Sequence, residues 1–494
     1  MSRSTTLLAG MLAALGALGA AAAARATELL IEHVTLVSPE RGSELADASV
    51  RVHDGRIAAV TTSKTAGPGP GVTRIDGRGL YLAPGLIDSH VHLAFIPGMT
   101  DEQEARHPEV AQAGRAQIPR SYLLYGFTTL IDLISTPEWL APWRAQPLVP
   151  DTYFCGGAAL MDGYSMNFEP KPQRYRDWPY MLIEDGAAAP AGIDPAEHTP
   201  RAVVERMQAD GAICVKTFFE RGFSGDRNLP VPRLETIRAV VSAAHAAGMP
   251  VLMHANTAEA HSFALDAGVD IVAHGLWNWG REESAAAGVP DGVRAILDRE
   301  RAADVGWQPT LQVLHGLQDL FAPTYLSDPR LRRVLPASLI DWYRSGEGQW
   351  FRSLVAEDLD SSQPAGAQFS PVIEHARLST AYLLAHHARI LFGTDTPSAP
   401  TFANPPGLNG WLEMQRLMAA GASAAEIFES ATLRNARALK LDGDIGTIEV
   451  GKRANLLLLR QDPTRTIDAY TDIAKVILNG QPIDPALLRA DHGS

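Results

Sequence analysis

The segment Asp88-Ser89-His90-Val91-His92 ends a short apolar run, and one residue separates its two histidines. On a β-strand, residues i and i+2 point to the same face, so both imidazoles can reach one metal ion. An HxH pair on its own is weak evidence, because two packed histidines at that spacing are common. Four more groups stand at the ends of other apolar runs. Lys216 lies in Cys214-Val-Lys-Thr-Phe, His254 in Val251-Leu-Met-His-Ala, His274 in Val272-Ala-His-Gly and Asp395 in Phe392-Gly-Thr-Asp-Thr. A lone buried His or Lys is ordinarily a satisfied core residue, whereas six such groups at run ends form the donor set of one or two divalent ions. Zinc is the default for a set rich in imidazole, with manganese or iron also tolerated. Such ions lower the pKa of a bound water towards 7 and so supply hydroxide at neutral pH.

The elements that must position these groups alternate in type. From Leu86 to about Leu433, apolar runs of four to eight residues alternate with Ala-rich stretches of helical period. That is the pattern of βα units around a parallel sheet. Eight candidate strands are Gly85–His92, Thr128–Leu133, Thr152–Gly157, Ala212–Phe218, Pro250–His254, Ile271–His274, Val305–Leu311 and Ile390–Asp395. The clearest intervening helix is Arg233–Ala247, ended by Gly248. The fold class read from this is α/β, a (β/α)₈ TIM barrel, whose active site belongs at the C-terminal ends of the strands. Two connections exceed ordinary βα loops: Leu160 to about Pro200, with Tyr164, Phe168, Tyr175, Trp178 and Tyr180, and Leu311 to about Glu374, with Trp342, Trp350 and Phe351. Aromatic-rich loops of this kind more often pack on themselves than touch a ligand.

Both flanks are β-rich. Leu29 to Leu36, Ala48 to Val52 and Ile57 to Val60 read as strands, with Asp54-Gly55 as a hairpin turn. A Gly/Pro-rich stretch, Ala66 to Gly71, interrupts them. Near the other end, Asn455 to Leu459 and Ala474 to Leu478 read as strands, followed by a tight turn at Asn479-Gly480. The two flanks are expected to pair as one small β-sandwich domain. The expected division is a signal peptide over 1–26, the sandwich's first part over 27–84, the barrel over 85–435 and the sandwich's second part over 436–494.

The leader has Arg3, an apolar run from Leu7 to Ala24 and a small-x-small site at Ala24-Arg25-Ala26, so the protein is expected to be exported, periplasmic or secreted. An uncleaved anchor is the competing reading, disfavoured by the run's Ala and Gly content. The net charge of −13 becomes −15 without Arg3 and Arg25, which argues against nucleic acid or an anionic membrane surface as partner. No stable membrane insertion is expected, and the oligomeric state is left open, a homo-oligomer included. Cys155 and Cys214, the two cysteines, fall in candidate strands and read as small buried apolar residues, with a single bridge open in an oxidising compartment.

The chain resembles the amidohydrolase superfamily, and within it the metal-dependent hydrolases grouped with imidazolonepropionase-like enzymes and Xaa-Pro or Xaa-Arg dipeptidases. The matching pieces are PGLIDSHVH, GFTTLIDL, the VKTF lysine strand, VLMHA, DAGVDIVAHG, FGTD and the closing ATLRNARALKLDGDIGTIEVGKRANLLLL. The resemblance implies that His90 and His92 hold the more buried ion together with Asp395, and that His254 and His274 hold the second. It implies that Lys216, carbamylated by CO₂, bridges them. Asp395 would be general base and then general acid, and His274 would help a metal polarise the scissile carbonyl. The sequence departs from relatives at Ala273, where many have Glu, at Asn455, and at Phe218-Phe219-Glu220-Arg221, which is bulkier than a Gly-rich turn.

The expected function is hydrolysis of an amide, peptide or related C–N bond of a small molecule or short peptide by a metal-bridged hydroxide. One alternative is a mononuclear deaminase or a ring-opening hydrolase of a cyclic amide. Deaminase-like members place Glu three residues after the fifth-strand His, and Thr257 stands there. A non-enzymatic binding protein on the same barrel is the other alternative. Arg221, Trp277 and Trp279 follow ligand-bearing strands and are the candidates for substrate binding, against a plain reading as a salt bridge and packing.

Overall fold

The N-terminal hairpin shows how the turn chemistry works. Strands β1 (Glu28–Leu36), β2 (Leu45–His53) and β3 (Arg56–Thr62) pair antiparallel in that order. Asp54 and Gly55 join β2 to β3 with φ of 47° and 74°, the left-handed pair that a two-residue hairpin of this twist requires. The structure is a computed structural model that describes residues 28–62, 72–223, 228–280, 288–398 and 400–492. The leader and the Gly/Pro-rich stretch from Ala66 to Gly71 lie outside the described residues.

Strands β4 (Thr73–Asp76) and β5 (Tyr81–Pro84) run parallel to β1. The chain's far end supplies β13 (Leu456–Leu459), β14 (Ile473–Leu478) and β15 (Gln481–Ile483), with β13 antiparallel to β5. One sheet, ordered β15-β14-β13-β5-β1-β2-β3, is therefore built from both chain ends. The run Leu456-Leu-Leu-Leu459 carries no polar residue because both its faces are covered. Leu456 and Leu458 join Ile31, Val34, Val50 and Ile477 in the small domain's core. Leu457 and Leu459 join the main core beside the barrel.

The barrel strands are β6 (Leu86–Val91), β7 (Phe127–Asp132), β8 (Asp151–Ala158), β9 (Cys214–Phe218), β10 (Val251–His254), β11 (Ile271–Ala273) and β12 (Gly306–Gln308). They form one parallel sheet in sequence order, matching seven of the eight expected strands. The eighth segment, around Ile390–Asp395, closes the barrel through isolated bridges, Trp307 to Ile390 on one side and Val91 to Thr396 on the other. Two features keep it from being a regular strand. Asp395 has φ of 55°, outside the β region. The Asn435 side chain also inserts beside the backbone bonds that join this segment to β6: its Nδ2 donates to the carbonyls of Ile87 and Phe392, at 2.9 and 2.7 Å.

The expected strand Val305–Leu311 is too long. Thr310 has φ of 46°, and a helix, Leu311–Asp319, starts immediately after it. Both oxygens of the buried Glu413 accept the first backbone N–H groups of that helix, from Leu311 at 3.0 Å and Gln312 at 2.6 Å. The expected helix is present as Leu234–Ala246, with Gly248 at φ 76° beyond its end. The reading of Cys155 and Cys214 as plain apolar residues is corrected: they are register partners on β8 and β9, with Cα atoms 4.4 Å apart, and form a disulfide. The bridge lies with Ile87, Ile131, Leu252 and Leu391.

Candidate metal centre

The site is assembled from strand ends. His90 lies in β6 and His92 one residue beyond it, and both meet Asp395 from the closing segment. Asp395 Oδ1 is 3.1 Å from His90 Nε2 and 2.9 Å from His92 Nε2. Asp88 holds that geometry from beneath. Its carboxylate accepts the Thr394 hydroxyl at 2.6 Å and the Thr394 backbone N–H at 3.0 Å, tying the segment that carries Asp395 to β6. Burial raises Asp88 to about 7, against the pull of those hydrogen bonds. Asp132, at the end of β7, accepts the Leu93 N–H and stands 4.0 Å from His92 Nδ1.

His254 ends β10 and His274 follows β11, with ring centroids 4.5 Å apart. His274 Nδ1 lies 3.0 Å from Thr310 Oγ1, so the left-handed turn at Thr310 also serves the site by orienting this ring. Lys216 lies within β9, in register with Gly157 of β8. Lys216 is 2% exposed, and its Nζ has no hydrogen-bond partner among the described residues. Burial lowers it to about 7, with Asp395 acting in the opposite direction. Burial likewise lowers His90 to about 3 and holds His254 and His274 below their ordinary value. For Asp395, burial raises the pKa, but His90, His92 and His274 outweigh it and hold the carboxylate well below its usual range.

Imidazoles held neutral at His90, His254 and His274 around an ionised Asp395 are in the protonation states that a divalent cation requires of its ligands. The residues therefore fit a metal. Ligand atoms of His90, His274 and Asp395 lie within 4.8 Å of one another.

The structure brings His90, His92, Lys216, His254, His274 and Asp395 to one end of the barrel and treats the three candidate substrate residues differently. Trp277 packs on His274, at 5.2 Å between centroids. Arg221 makes an ion pair with Glu259 at 2.8 Å. Trp279 is buried away from these ligands, stacked on His375 at 4.1 Å, with its N–H shared by Leu276 and Ser379. Besides Asp88, Asp132 and Thr310, the sequence reading missed Glu220, two residues past β9. It is buried, with Oε2 3.4 Å from His254 Nε2 and 3.0 Å from Asn256 Nδ2, and Oε1 accepting the Gly222 N–H at 2.7 Å. Its i+4 spacing from Lys216 is the available signal.

Comparison with known proteins agrees with this architecture. Two profiles described as Amidohydrolase family match residues 206–484 and 81–299. Imidazolonepropionase of Rubrobacter xylanophilus is 41% identical over 78 residues, 14% of this chain and 19% of that enzyme's length. Imidazolonepropionase of Micrococcus luteus is 25% identical over 492 residues, covering 93% of this chain and 97% of that one. Among solved structures, a Xaa-Pro dipeptidase with bound methionine superposes with a TM-score of 0.63 at 19% identity, over 93% of this chain and 100% of that one. The chain belongs to the amidohydrolase family. It is a hydrolase acting on C–N bonds.

Proposed function

We propose that the protein is an exported hydrolase that cleaves an amide or peptide bond of a small molecule or short peptide at a pair of divalent ions, with zinc as the first candidate. The observation that carries this reading is Asp395 held between His90 and His92, beside a buried Lys216 amine with no hydrogen-bond partner among the described residues. His90, His92 and Asp395 would hold one ion and His254 and His274 the other. Lys216 would suit the bridging position as a carbamate: the neutral amine would add to CO₂ with loss of one proton, and the two oxygens gained could serve two ions. When bound, the ions supply Lewis acidity and ionise water at neutral pH. Asp395, an ionised carboxylate at the centre of the cluster, takes the proton of the attacking water and returns it to the leaving amine. Thr310 keeps the His274 ring in place, and Trp277 walls that side. Arg221 and Trp279 remain part of the substrate proposal only if ligand binding opens the contacts they make here. Export is supported by the leader and by the Cys155–Cys214 bridge, since disulfides persist in oxidising compartments.

A second reading, ring opening of a cyclic amide, is favoured by the likeness to imidazolonepropionase along 93% of the chain. Deamination has less support, because Thr257 caps the helix Ala258–Ala267, its hydroxyl accepting the Ala260 N–H at 3.1 Å. The test is turnover of N-acyl amino acids, dipeptides and cyclic amides by the native enzyme and by Asp395→Asn. The proposal expects linear amides to be cleaved and the variant to lose about 10²–10⁴-fold in kcat. Cleavage of cyclic amides alone would favour the second reading, and an unchanged kcat in the variant would remove Asp395 from the chemistry.

A further inference from the structure

Aromatic side chains from two separate connections converge beside His254. Tyr164, from the connection after β8, lies 4.6 Å from the His254 ring between centroids. Phe218 and Phe223, at the end of β9 and just after it, lie 6.4 and 6.1 Å from the same ring. Phe168 and Phe223 both meet Tyr164 edge-on, at 5.6 and 5.5 Å, yet remain 69% and 57% exposed. Two large apolar side chains that lean on a shared ring and leave their other faces in water, at the edge of a polar site, form a surface built for a ligand. Two of the polar side chains nearby are already engaged. Glu220 is held by Gly222, Asn256 and His254, and Arg221 by Glu259.

We propose that Tyr164, Phe168, Phe218 and Phe223 form a specificity subsite that takes an aromatic or similarly large, flat apolar group of the substrate, next to the scissile bond. The inference rests on the amide-hydrolase reading for what is cleaved, but the subsite itself selects by apolar area and ring geometry.

The experiment is calorimetric binding of 3-phenylpropionate against propionate to the full-length, metal-loaded protein. Neither probe contains a C–N bond, so binding is read without turnover. The native protein is expected to bind the aromatic acid at least about tenfold more tightly. Phe168→Ala/Phe223→Ala is expected to bring that ratio below about threefold with an unchanged thermal midpoint, because both side chains are exposed. Phe95→Ala, which removes an exposed phenylalanine beside Arg115 and Trp143, should keep the native ratio. Native affinities within about threefold of each other, no binding of either acid, or a double variant that keeps the ratio would overturn the subsite. Selective binding without turnover of any amide would instead remove the hydrolase reading and leave the subsite standing.

Discussion

Glu220 Oε2 lies 3.4 Å from His254 Nε2, so one ring nitrogen of His254 faces a buried carboxylate and Nδ1 is the nitrogen that would serve a metal ion. Carboxylates that fix a ligating histidine in this way raise its basicity and set its orientation. Glu220→Ala should weaken the second ion's binding about 10–100-fold in chelator competition, and Glu220→Gln should lose less. Equal metal affinity in all three proteins would make Glu220 a packing residue.

Asn435 ties the closing segment to β6 beside that segment's own backbone hydrogen bonds, Ser89 N–H to the Phe392 carbonyl and Asp395 N–H to the His90 carbonyl. Its side chain also accepts the Phe392 N–H at 3.2 Å. Asn435→Ala removes the side-chain partner of the Ile87 carbonyl and of that N–H inside the barrel, while Ser89 still donates to the Phe392 carbonyl, at about 1–3 kcal/mol for each buried group left unsatisfied. Urea unfolding should show a loss of at least about 2 kcal/mol, together with lower kcat as Asp395 loses its support. A variant within about 0.5 kcal/mol of native would show that water or relaxation replaces the side chain.

The Cys155–Cys214 bridge spans 59 residues of sequence. Restricting the unfolded chain over a loop of that size is worth about 2–4 kcal/mol. Cys155→Ala/Cys214→Ala should lower the thermal midpoint by several degrees, and reductant should then have no further effect on the variant. If native and variant unfold at the same temperature, the bridge contributes nothing to stability.

Much of this site was legible because a barrel places its chemistry at strand ends. Short apolar runs ending in His92, His254, His274 or Asp395 announce both the strand and the residue it delivers. What was hidden depends on register or on distant partners. The disulfide follows from Cys155 and Cys214 falling opposite each other on adjacent strands, which spacing along the chain cannot reveal. The strand at Val305 stops early because Glu413, about a hundred residues on, caps the helix at Leu311. Arg221 and Trp279 share the sequence context of Trp277, yet Glu259 and His375, on other elements, set where they point. The aromatic rim needs two connections folded against each other before Phe223 can meet Tyr164.

The central claim is a two-ion site bridged by Lys216, and metal content of the purified protein by plasma mass spectrometry tests it most directly. The account predicts about two divalent ions per chain in the native protein and a clear fall in Lys216→Ala, with loss of amide turnover. About one ion per chain, unchanged by Lys216→Ala, would contradict the bridge and bring ring opening or deamination at a single metal to the front.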